Sequence, residues 1–145
     1  MQIHIHNSVI IPYQNMDTLD MDCDTVWTHK TFHGRRQEKS VILKNSEGQS
    51  YARLHLLFMV SISNTTHDVA FIHNYSAVPP SLLSEDDHDT GFLCLMLEDL
   101  PTHTRFTSPQ EFVHAAFIVN TDDNWVNCYF LNDLVDNDMY FRLSQ

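Results

Sequence analysis

Residues 51–75 read YARLHLLFMVSISNTTHDVAFIHNY, and the alternation within them decides the fold. Ala52, Leu54, Leu56, Phe58, Val60 and Ile62 share one parity and are all apolar. Tyr51, Arg53, His55, Leu57, Met59 and Ser61 form the mixed parity. A period of two is that of a half-buried strand, whereas a helix would scatter the apolar positions around its circumference. Ser63-Asn64-Thr65-Thr66 supplies a turn, because Asn tolerates left-handed backbone and the hydroxyls bond locally. Residues 67–75 then return as the second strand of an antiparallel hairpin. The expected core face is Ala52, Leu54, Leu56, Phe58, Val60 and Ile62. Arg53 and His55, on the opposite face, are expected to pair with Asp68 and the acidic C-terminal turn and so lock the sheet.

Outward from this hairpin, short apolar runs alternate with polar turns. VILKN at 41–45 reads as a strand, followed by a turn at SEGQ. FLCLML at 92–97, AAFIV at 115–119, WVNCYFL at 125–131 and MYFRL at 139–143 read as further strands. Residues 77–91, with Pro79-Pro80 and an acidic cluster, read as a loop. At 108–113, SPQEFV has Ser108 as an N-cap, Pro109 at the first helical position and Glu111 three residues after Ser108, a capping-box pattern predicting one or two helical turns. Residues 1–27 are acidic, with mixed signals. They read as an arm or irregular lead-in with one short strand, ahead of a single β-rich domain over 28–145. The expected fold is mainly β: an antiparallel twisted sheet or partly open barrel with one short helix.

Composition narrows the function classes. One domain of 145 residues buries enough surface to need no disulfide or metal. Three cysteines, Cys23, Cys94 and Cys128, argue against a disulfide framework or zinc knuckle, and Cys94 and Cys128 read as core residues. No basic n-region or membrane-length apolar stretch is present, so an intracellular protein with no membrane association is expected. The net charge of −11 disfavours broad nucleic-acid binding. Five of the eight Lys and Arg residues nevertheless lie at Lys30, Arg35, Arg36, Lys39 and Lys44. With Phe32 and the nearby Trp27 they could make a basic and aromatic contact patch, the basis of an alternative reading of 30–44 as a nucleic-acid contact segment, although a surface turn is the preferred reading.

Chemistry-bearing groups give little support to catalysis. His29 and His33 could join Asp20, Asp22 or Asp24 in a metal site of a metal-dependent enzyme, but the segment lacks the helical pattern that gives the spacing meaning. His4 and His6 share one side of a strand and read as exposed. Asp86, Asp87, Asp89, Asp122 and Asp123 lie in turns. No nucleophile elbow, Walker loop or dinucleotide fingerprint occurs. No cofactor is expected. Tyr75, Trp125 and Tyr129 could frame a cationic side chain, although packing in the core is the preferred reading for such aromatics.

Three segments carry a family resemblance: Ala52-Arg53-Leu54-His55, Asp68-Val69-Ala70 and Asp136-Asn137-Asp138-Met139-Tyr140-Phe141-Arg142, with an entry at Thr31-Phe32-His33-Gly34-Arg35-Arg36. Over roughly residues 28–143 the chain resembles the C-terminal β-rich domain of proteins encoded by fungal (basidiomycete) DNA transposons of the Plavaka and CACTA-like groups. Gln37-Glu38-Lys39, a shortened middle loop and SPQEFVHAAFIV depart from that pattern. The strand order is in turn similar, distantly, to a bromo-adjacent homology (BAH) domain. The resemblance implies a nuclear location and a non-catalytic protein-interaction module docking a histone, another chromatin protein or a transposase. The expected partner-binding residues are Arg35, Arg36, Tyr75 and Trp125.

Overall fold

A computed structural model describes residues 1–28, 31–32, 35–36, 39–46, 48–83, 85, 92–97, 103–120 and 128–132. They form β1 (Gln2–His6), β2 (Ser8–Gln14), β3 (Met21–Trp27), β4 (Thr31–Phe32), β5 (Arg35–Arg36), β6 (Ser40–Asn45), β7 (Gly48–Ile62), β8 (Thr65–Asn74), β9 (Ser76–Ala77), β10 (Leu93–Met96), β11 (Thr104–Thr107), β12 (Phe112–Ala116), β13 (Ile118–Asn120) and β14 (Cys128–Leu131). Two single 3-10 turns, Pro80–Leu82 and Pro109–Glu111, lie among them. The fold is mainly β and antiparallel, as its alternating segments dictate.

The main sheet has the order β11-β8-β7-β6-β12, with β1 added to the far half of β7. It does not close: β11 and β12 are its ends. β13-β14-β10-β9 make a second sheet, and β2-β3 and β4-β5 are separate hairpins. The β7–β8 hairpin turns at Ser63 and Asn64, both with positive φ (49° and 65°), between the paired Ile62 and Thr65. Two central residues of positive φ make the tight turn whose twist matches the strands.

Each face of the main sheet is buried against a different layer. On one side, Val41, Leu43, Ala52, Leu54, Leu57, Ala70 and Ile72 pack with Ile11 of β2 and Val26 of β3. On the other, Ile42 packs with Tyr75, Leu95, Ile118, Tyr129 and Leu131, drawn largely from the second sheet. The near half of β7 is thus sandwiched. Its far half, joined by β1, extends beyond the second sheet's core.

Several expectations change. Residues 1–27 hold three strands rather than one, and Ile11 and Val26 belong to the core. β2 tolerates Pro12 because it stands in a two-stranded hairpin, with Pro12 exposed. The capping-box segment makes one 3-10 turn. Ser108 Oγ accepts from Gln110 N at 3.3 Å, but Glu111 accepts from Thr107 Oγ1 at 2.7 Å instead of reaching back to Ser108. Within the expected loop at 77–91, Ala77 belongs to β9 and Pro80–Leu82 make a 3-10 turn. β11 occupies a stretch in which no strand is expected from the sequence. The last expected strand, 139–143, lies outside the described residues.

Candidate interaction surface

β7 changes face in its middle. Leu54 stands opposite Ile72 on β8, yet Leu56 stands opposite Phe71, so His55 is an extra residue in the ladder. A bulge of this kind reverses the parity of everything beyond it. Leu57 is accordingly buried (3% exposed), while Leu56 is 36% exposed. The expected single core face from Ala52 to Ile62 is therefore corrected. Ala52 and Leu54 face the first core, Leu57 takes over beyond the bulge, and Leu56, Phe58, Val60 and Ile62 turn outward.

The outward side of this far half is continuous across four strands. β1 places Ile3 opposite Val60 and Ile5 opposite Phe58. β8 places Val69 opposite Phe58 and Phe71 opposite Leu56, and β11 adds Phe106 opposite Phe71. The rings form a cluster: Phe71–Phe106 centroids are 5.0 Å apart, and Phe58–Phe106 are 6.1 Å apart in an edge-on arrangement. His55 lies beside it, 6.0 Å from Phe71 and 5.8 Å from His73. Ile3 (56%), Ile5 (68%) and Phe106 (65%) are more than half exposed. The remaining outward positions, Thr65, His67 and Thr104, are uncharged by formal count. Among the described residues, no Asp, Glu, Lys or Arg stands on the outward side of this far half. Leu56 and Ile62 add further exposed apolar surface to the same side.

The near half of the same side holds Arg53. Its guanidinium carbon lies 5.1 Å from the Tyr129 ring centroid and 5.9 Å from that of Tyr75. The two rings meet edge-on at 5.5 Å, and the Tyr75 hydroxyl is 3.1 Å from Ser40 Oγ. Burial alone would lower the Arg53 pKa, but the phenol oxygens of Tyr75 and Tyr129 more than offset it, leaving it above the ordinary value. Burial pushes the Tyr75 hydroxyl up, opposed by its Ser40 hydrogen bond and by Arg53. The expected partnership of Arg53 with Asp68 does not form: Arg53 pairs with His73 in the ladder, while Asp68 stands far along it opposite Met59. Tyr75 and Tyr129 do come together around a cation, and that cation is the chain's own Arg53.

A third cluster ties the N-terminal hairpin to β12. Asp24 Oδ2 accepts from Ala115 N at 2.9 Å and lies 3.0 Å from Nδ1 of the buried His114. The Tyr13 ring packs at a tilt against that imidazole, with centroids 4.3 Å apart. Asp24, one of the candidate metal ligands, is therefore engaged in a structural clamp. Asp20 and Asp22 are exposed, and Asp22 Oδ1 accepts from Cys23 N at 2.8 Å. Among the described residues, no group of three or more His, Cys, Asp or Glu side chains could hold a metal ion. Also among them, no helix is long and apolar enough to cross a membrane.

The other expected site residues are more dispersed. Arg35 and Arg36 form β5, paired with Phe32 and Thr31 of β4. Tyr75 is buried. Trp125, His29, His33, Asp86, Asp87, Asp89, Asp122 and Asp123 lie outside the described residues. Cys94 is buried and Cys23 exposed, and both are free thiols. No protein-family model, curated protein or solved structure matches the chain.

Proposed function

We propose that the protein is a non-catalytic interaction module that docks a protein partner on the outward apolar face of its main sheet. The observation that carries this reading is the charge-free aromatic surface around Phe106, Phe71 and Phe58 in a chain of net charge −11. A contiguous exposed apolar patch on a protein surface is often a contact site. The acidic remainder of the chain favours a partner whose apolar anchors sit on a basic background. Chromatin proteins have that chemistry, and the likeness to transposon-encoded and BAH-type domains points the same way.

Purified core histones are the probe, titrated at about 0.15 M salt so that surface charges are screened beyond about 8 Å. Phe106→Asp separates the two contributions. It adds a negative charge, which would strengthen a purely electrostatic complex, and it destroys the centre of the apolar face. The reading expects roughly tenfold or greater weakening. Unchanged or tighter binding by Phe106→Asp, or no histone binding by the parent protein, overturns it.

A further inference from the structure

All five residues of β1 are exposed. One edge of the strand pairs with β7, from Gln2 opposite Ser61 to His6 opposite Leu57. Among the described residues, one hydrogen bond reaches β1 from outside β7, from the Thr28 hydroxyl to the His6 carbonyl at 3.4 Å. Exposed edges are ordinarily protected by Lys, Pro, a bulge or an inward charge. β1 reads Gln-Ile-His-Ile-His and has none of these.

Its order of polar and apolar residues is the same in both directions about His4. The geometry points to a second copy of this chain as the occupant of that edge, with β1 pairing antiparallel to its counterpart across a two-fold axis at His4. In this register Ile3 meets Ile5 of the other copy on the outward face, His4 meets its own equivalent, and Gln2 meets His6. A slip of one residue would set Ile against the opposite face, and a slip of two would leave two residues of each strand unpaired, so the register centred on His4 is the one that pairs all five. No charged side chain enters the junction, which matters for two chains of net charge −11. The contact is isologous and closes at two copies instead of propagating. The sheet then runs through both protomers, and their apolar faces become one surface. This inference concerns the strand edge and does not depend on what docks on the face.

A five-residue edge contact buries less than about 1,200 Å², the range of reversible association. Sedimentation equilibrium from about 1 to 300 µM should show the mass rising from 16.9 kDa toward twice that value. Disulfide trapping in a Cys23→Ser background tests the register. Opposed residues in an antiparallel pair have Cα atoms about 4.5–5.5 Å apart, inside the range a disulfide spans. His4→Cys should therefore cross-link to itself. Gln2→Cys should not, because its equivalents lie about 13 Å apart along the strands. It should cross-link when mixed with His6→Cys. His4→Lys sets like charges face to face and should weaken the dimer roughly fivefold while leaving the apolar face intact. A mass of 16.9 kDa throughout, or self-cross-linking by Gln2→Cys as ready as that by His4→Cys, overturns the inference. Phe106→Asp should leave the dimer unchanged, so loss of docking and loss of pairing are read separately.

Discussion

Leu54 is fully buried, and Leu56, two residues further along the same strand, is 36% exposed. An unbroken strand would place both on one face. The extra residue at His55 turns the strand over between them. The near half of β7 then serves a two-layered core, and the far half presents Leu56, Phe58, Val60 and Ile62 to the outside. The surface proposed for docking exists because of that one inserted residue.

The clamp of Asp24 on β12 should stabilise the N-terminal hairpin against the main sheet. Asp24→Ala removes the acceptor of the Ala115 N–H and the carboxylate beside His114. A loss of roughly 2–3 kcal/mol is expected. Urea unfolding should show it as a lower midpoint at unchanged slope. A loss under about 0.5 kcal/mol would mean that the hairpin is held by Ile11 and Val26 alone.

Arg53 should be structural through its aromatic contacts. Arg53→Lys keeps the charge but loses the planar group between Tyr75 and Tyr129, and should cost roughly 1 kcal/mol. Arg53→Ala should cost roughly 2 kcal/mol through lost packing as well. Equal stability of the Lys variant and the parent would show that charge alone matters.

Alkaline pH should weaken the same cluster. The Tyr75 hydroxyl holds its proton more tightly in the folded chain than at its ordinary value of 10.0. The folded state therefore binds more protons than the unfolded one above that pH. Stability should stay level below pH 10 and fall as pH rises through the folded value. Tyr75→Phe removes this part of the decline and, by deleting the bond to Ser40, costs about 1 kcal/mol at neutral pH. The difference between the two unfolding profiles across the alkaline range is the measurement. A parallel decline in both would count against the assignment.

The hairpin tip offers a gain in stability. Ser63 and Asn64 both hold left-handed backbone, where Asn-Gly is the preferred pair. Ser63→Asn combined with Asn64→Gly should stabilise by roughly 1 kcal/mol. A lower melting temperature for the double variant would argue against this turn geometry.

The hairpin, its turn and most later strands were legible because their apolar runs are bounded by residues that favour turns. The bulge was not. Leu56 and Leu57 are adjacent and both apolar, so either parity could have continued the core, and only pairing with Phe71 and Ala70 decides between them. β3 was hidden by Asp22 and Asp24, poor strand formers, one of which bonds to β12. β11 is too short, at four residues, to show a period. For Tyr75 and Tyr129, an aromatic cage was legible only as the alternative to plain core packing. That Arg53 fills it depends on the register of β6, β7 and β8, which no local pattern reports.

The most direct test sets Leu56→Asp beside Leu57→Asp, measuring unfolding free energy and histone binding for each. Leu56→Asp should keep the fold within about 1 kcal/mol and lose binding, because the side chain lies on the docking face. Leu57→Asp should unfold the protein, because it buries an unpaired charge in the core. The reverse pattern, with Leu56→Asp unfolding and Leu57→Asp tolerated, would restore the unbroken alternation and contradict both the bulge and the face built on it.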